Sequence, residues 1–109
     1  SALATFVGVR AEQVRFSGLA PARYESSPGV IRSFCPKSGS PIAFEAEGKF
    51  PGEVHLFLGT LDDQASVAPR SHVHVGEQVP WFEVLDDLPR YQAGGGRGAK
   101  PIRTGPRPR

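Results

Sequence analysis

Apolar and polar positions switch rhythm every few residues along this chain, and the short runs they define are strands rather than helices. Leu3 to Val9 is apolar, β-branched and aromatic, and it ends at the polar stretch Arg10-Ala11-Glu12-Gln13. That pattern predicts a buried strand followed by one helical turn. Val14-Arg15-Phe16 and Ala22-Arg23-Tyr24-Glu25 alternate with a period of two, punctuated by Gly18 and Pro21. Ser27-Pro28-Gly29 predicts a turn into the strand Val30 to Phe34, and Cys35 to Ser40 a second turn joining it to an antiparallel strand at Ile42 to Glu45. Glu47 to Gly52 reads as a loop and Val54 to Leu58 as a central strand. Asp62 to Ala65 reads as a helical turn or loop, and Ser71 to Val75 as a further strand. Val79 to Tyr91 holds two prolines and is expected to pack Trp81 and Phe82 against a sheet edge. Repeats and long amphipathic helices are absent from the pattern. The expected fold is mainly β, a small antiparallel domain with short helical turns.

Composition sharpens this in two places. Eleven prolines and thirteen glycines in 109 residues disfavour helix and suit a loop-rich β protein. The formal charge of +2 hides two unlike parts. Residues 1–92 carry eight Lys/Arg against eleven Asp/Glu, whereas residues 93–109 carry five cations and no acid. The first part is read as one domain. The second, Gly-, Pro- and Arg-rich, has too little apolar surface to offset ordering and is expected to be disordered or ordered only by a partner. The body gives no reason to propose nucleic acid binding; the basic tail alone raises it, without the aromatic interleaving that base stacking uses. No apolar run reaches membrane-spanning length and no signal-peptide pattern opens the chain, so no membrane role is expected. A single cysteine forms no internal disulfide, and a cytoplasmic setting is the default expectation.

The most informative segment is Phe34-Cys35-Pro36-Lys37-Ser38-Gly39-Ser40-Pro41. A Cys-x-x-Cys-Gly turn brings two thiolates onto one metal, with glycine relieving the tight turn behind the second. Here Ser38 holds the second ligand position and no other cysteine exists. A serine hydroxyl is neutral at pH 7 and a poor substitute for thiolate.

The surroundings of that turn carry a resemblance. Arg23 to Val30, Arg32-Ser33-Phe34-Cys35-Pro36, Ser38 to Pro41, Leu58-Gly59-Thr60-Leu61-Asp62-Asp63, His72-Val73-His74, Pro80-Trp81 and Leu88-Pro89-Arg90-Tyr91 occur in an order that resembles the glutathione-dependent formaldehyde-activating enzyme family, including its centromere protein V type. The resemblance covers roughly residues 1–91. It implies a zinc protein with a β-tent core and carbon–sulfur lyase activity on a glutathione–formaldehyde adduct. It also implies three thiol clusters: Cys-x-Cys-Gly and Cys-x-x-Cys-Gly building a structural zinc site, and Cys-His-Cys-x-x-Cys-Arg supplying a catalytic one. This chain resembles the family from just after the middle cluster onward, and Cys35 alone maps onto a ligand.

Two readings of function follow. One is a carbon–sulfur lyase whose missing clusters lie upstream in a longer gene product. The other is a non-catalytic β-tent binding or scaffold domain that has lost its zinc sites, favoured by Ser38, which truncation does not explain. Either way the chain as given is expected to bind no zinc and to carry no catalytic residue. A glutathione-type small molecule is the expected partner, and a homodimer is an open option through which metal could be shared. His72 and His74, two apart and hence on one face of a strand, are the only soft donors to add to Cys35, and with Trp81 they are the candidate substrate contacts. His55 is expected to be a hydrogen-bonded structural residue, and Asp62 and Asp63 to cap a helical turn. Gly94-Gly95-Gly96 is a linker, with no strand leading in and no helix following.

Overall fold

The structure, a computed structural model, describes residues 2–96 and 98–108. It divides into two units, one spanning Ala4–Val67 and one built on the segment from Ala68 onward. The first unit is a five-stranded antiparallel sheet of β1 (Phe6–Arg10), β2 (Ala22–Ser27), β3 (Val30–Phe34), β4 (Pro41–Ala46) and β5 (Glu53–Phe57). The order across it is β1-β5-β4-β3-β2. Strands β2 to β5 form a meander, each joined to the next by a turn that the sequence punctuates with Gly or Pro. Strand β1 adds to the far side of β5, with Phe6 opposite Phe57 and Val9 opposite Val54. Helical content among the described residues is confined to three-residue 3₁₀ turns, one of them at Ala11–Gln13 directly after β1 as the polar run predicts.

The two faces of the sheet differ in kind. Alternation and register place Val7, Val9, Val54, Leu56, Ala43 and Ile31 on one face, an aliphatic layer in which Val54 and Ala43 are buried. Burying a valine side chain fully contributes about 1.5–3 kcal/mol, so Val54 is a principal anchor. The other face is aromatic. The Phe6 ring meets those of Phe44 and Phe57 at 5.1 and 4.4 Å between centroids. His55 lies between Phe44 and Phe50 at 4.9 and 4.4 Å. The imidazole also covers Gly8 on β1, where a Cβ would come 3.2 Å from its Cε1.

In the second unit β6 (Pro89–Arg90) pairs with β7 (Arg103–Thr104), and His72 makes an isolated parallel bridge to Arg90. The ladder is short but bonded on both sides: His72 N–H to Pro89 O, Tyr91 N–H to His72 O and Ile102 N–H to Arg90 O, at 2.7–2.9 Å. Gly76 packs closely on Gln92: a Cβ there would lie 3.1 Å from the Gln92 carbonyl oxygen and would displace its side-chain amide. Residues 98–108 of the basic tail contribute β7, and Gly105 N–H bonds to Leu88 O at 3.2 Å.

Several expectations are corrected. Val14-Arg15-Phe16 forms no strand: Val14 N–H closes the preceding 3₁₀ turn on Ala11 O, and Phe16 is exposed. Ser71 to Val75 is no strand beyond the bridge at His72, because His74 is left-handed (φ 57°, ψ 31°) and Val75–Glu77 coils into a 3₁₀ turn. Asp63 precedes the Gln64–Ser66 turn without a side-chain capping bond; its backbone carbonyl instead accepts the Ser66 hydroxyl at 2.9 Å. No helix among the described residues is long and apolar enough to cross a membrane.

Candidate functional site

The Cys35 turn keeps the form of a metal knuckle and is closed by backbone hydrogen bonds. Cys35 N–H donates to Ser40 O at 2.9 Å, and Gly39 N–H returns to Cys35 O at 2.8 Å. Gly39 takes a φ of +77°, a conformation that a Cβ disfavours. Ser38 Oγ accepts the Ser40 N–H at 3.2 Å and lies 3.0 Å from the Ser40 hydroxyl. The Ser38 hydroxyl also hydrogen-bonds the Cys35 sulfur, with the N–H groups of Ser38 and Lys37 turned toward it. A hydroxyl has one proton; when Ser38 gives it to sulfur, the Ser40 hydroxyl can donate to Ser38 in turn. These donors hold the half-exposed Cys35 thiol below its usual pKa, the Ser38 hydroxyl being the largest cause.

The donor set does not fit zinc. Among the described residues no three His, Cys, Asp or Glu side chains converge as a metal-binding group. One thiol with a serine partner falls short of the four protein ligands of a structural site and the three of a catalytic one.

The predicted histidine pair does not act together. His72 Nε2 lies 2.9 and 3.1 Å from the two carboxylate oxygens of Asp86. His74 is exposed, and its left-handed backbone removes the shared strand face expected of the pair. Asp86 is the hub of a cluster the sequence did not suggest. It accepts Leu88 N–H at 3.0 Å and Arg90 Nη1 at 2.7 Å. The His72 contact first, then the Leu88 and Arg90 bonds, pull its pKa down to about 2, against some opposition from burial. Arg90 is only 2% exposed, and its fork also donates to Leu88 O at 2.5 Å and Val84 O at 2.6 Å. This arrangement locks a loop; it presents no open nucleophile or base.

Trp81 is 75% exposed, with the Phe82 ring edge-on at 6.4 Å, so it is not the core anchor expected. The carbonyls around it are occupied: Phe82 O accepts Gln78 Nε2 at 2.6 Å and Arg107 Nη2 at 3.0 Å. Arg107 Nε donates to Glu83 at 2.5 Å, which lowers the Glu83 pKa. His55, expected to be hydrogen-bonded, is instead held by rings. Its Nε2 is 3.4 Å from Glu53 Oε1 without hydrogen-bond geometry, and it has no other partner among the described residues.

The sheet also carries a concave site that sequence reasoning missed. A hollow of about 400 Å³ opens among Tyr24, Arg32, Phe34, Gly39, Pro41 and Phe57. Register brings these residues together: Tyr24 stands opposite Arg32, and Arg32 opposite Phe44. Its only trace in the sequence is a cation alternating with Phe34 in a β-branched strand, which is too common a pattern to mark a site.

A model of the glutathione-dependent formaldehyde-activating enzyme family matches residues 1–77. No curated protein and no solved structure matches the chain.

Proposed function

The chain belongs to the glutathione-dependent formaldehyde-activating enzyme family, and on that premise we propose that it serves carbon–sulfur lyase chemistry on a glutathione–formaldehyde adduct. In this reading the sheet receives the peptide, and the metal-binding thiols come from beyond these 109 residues, in a longer product or a partner chain. The observation that supports it is the family match running through all five strands and the Cys35–Ser40 turn. That turn keeps the backbone hydrogen bonds of a knuckle, and its donors favour the Cys35 thiolate.

A second reading rests on one residue. Ser38 ties the turn with its own hydrogen bonds to Ser40, at the position where a second thiolate would stand. This favours a non-catalytic domain that keeps the peptide-binding sheet and has lost zinc. Elemental analysis of protein prepared without chelator, together with formaldehyde consumption in the presence of glutathione, separates the two. For the 109-residue chain alone we expect no stoichiometric zinc and no turnover. Zinc and turnover in the longer product would support the lyase reading, and their absence there the second. Zinc in the short chain itself would show donors shared between copies, which sedimentation would reveal as a homodimer. We place this activity in the cytoplasm, where a lone cysteine stays reduced.

A further inference from the structure

Arg32 stands apart from the other arginines in β-strands of the sheet. Arg10 pairs with Glu12 and Arg23 with Glu45, whereas Arg32, in the middle of β3, has no ion pair among the described residues. It is nonetheless held: its guanidinium lies 5.6 Å over the Phe44 ring. Such a contact orients the fork while leaving its N–H donors free. Charge in the immediate surroundings of Arg32 on this face is one-sided. Glu25 and Glu45, the acids of β2 and β4, point to the opposite face by alternation, and Glu53 is two strands away beside Arg10. Tyr24, directly across from Arg32, brings a phenolic hydroxyl to the same row. Beside that row lie Phe34, Pro41 and Phe57, the apolar lining of the hollow.

We propose that this hollow is a carboxylate-binding subsite for a short peptide or peptide-like thiol. Arg32 takes the terminal carboxylate through its planar fork, and the Tyr24 hydroxyl adds a donor. The methylene and sulfur-bearing part of the ligand lies on Phe34, Pro41 and Phe57. A volume of about 400 Å³ suits part of a tripeptide rather than a folded partner. The assignment rests on the family reading only for its choice of glutathione as the peptide; the cation, the apolar wall and the missing counter-charge stand without it.

The test is a titration of the isotopically labelled 109-residue chain, followed by NMR, with four probes: glutathione, S-methylglutathione, glutathione carrying a C-terminal carboxamide, and acetate. Expected are saturable shifts at Tyr24, Arg32, Ser33 and Phe57 with the first two probes, weakened about tenfold by the carboxamide. R32Q should weaken glutathione binding by a similar factor, and R23Q, on the opposite face, should leave it unchanged. Circular dichroism checks that each variant folds, and the carboxamide arm tests the same contact in unaltered protein. Absence of saturable shifts, indifference to both the carboxamide and R32Q, or equal affinity for acetate would each overturn the proposal. Arg32-dependent binding without turnover in the longer product would keep the subsite and end the lyase reading; turnover untouched by R32Q would do the reverse.

Discussion

Replacing Arg90 should open the second unit from its centre. The side chain is 2% exposed and supplies Nη2 to Val84 O, and Nη1 to Leu88 O and to Asp86. Truncation in R90A leaves the Val84 carbonyl without a donor, while Leu88 O keeps the Gly105 N–H at 3.2 Å. Each buried unsatisfied group costs about 1–3 kcal/mol, and water entering the vacated space recovers part of that. The Asp86 side chain is 39% exposed, so solvent screens its share of the pair and the figure rests on the Val84 carbonyl alone. The expected loss is about 2 kcal/mol, a sizeable part of the 5–15 kcal/mol typical of a domain. R90M refills the volume but not the bonds and should behave like R90A. R90K keeps one charged donor head and should recover about half. Urea denaturation gives the energy, and hydrogen exchange at the His72, Tyr91 and Ile102 amides shows where the loss falls, since those amides form the ladder around β6. Stability of R90A within about 0.5 kcal/mol of the parent, with those amides equally protected, would refute the argument.

Three further outcomes are expected. Asp86 has a lowered pKa, about 2 against an ordinary 3.8, so its contribution is complete above the ordinary value and is lost as pH falls through about 2; D86N should flatten that acid limb in a pH series of unfolding curves. Cys35 should alkylate faster near neutral pH than an unperturbed thiol, and S38A should shift the pH–rate profile with iodoacetamide upward; an unmoved profile would mean that Ser38 does not hold the sulfur. Arg107 joins Glu83 and the Phe82 carbonyl, so R107A should speed exchange of the Ile102 and Gly105 amides; exchange already fast in the parent would instead favour the mobile tail that composition suggests.

What was legible in the sequence was local and periodic. Strands β2 to β5 follow from alternation between Gly and Pro turns, and the Cys35–Ser40 turn from its knuckle-like spacing. Val14-Arg15-Phe16 shows the limit of that reasoning: three alternating residues say nothing about whether a neighbour offers a ladder. Ser71 to Val75 failed because His74 is left-handed, an uncommon state for a non-glycine residue that alternation does not announce. Arg90 was visible within Leu88-Pro89-Arg90-Tyr91 but reads as a surface cation; its burial depends on carbonyls at Val84 and Leu88 that no pattern announces. Arg32 needed the register across three strands before its lack of a carboxylate could be seen.

The strand order has a consequence for how the chain assembles. Strands β2 to β5 pair with sequence neighbours, so their contacts close small loops and can form early. Strand β1 precedes the meander in sequence yet pairs with β5, Phe6 meeting Phe57, and must wait for the meander before it has that edge to join. Until then Val7 and Val9 stay uncovered, which makes the interval before docking the time of greatest exposure to self-association. Pulse-labelled hydrogen exchange during refolding should find the β3–β4 amides protected before those of β1. A nascent chain emerging from the ribosome would hold β1 in waiting until β5 has cleared the exit.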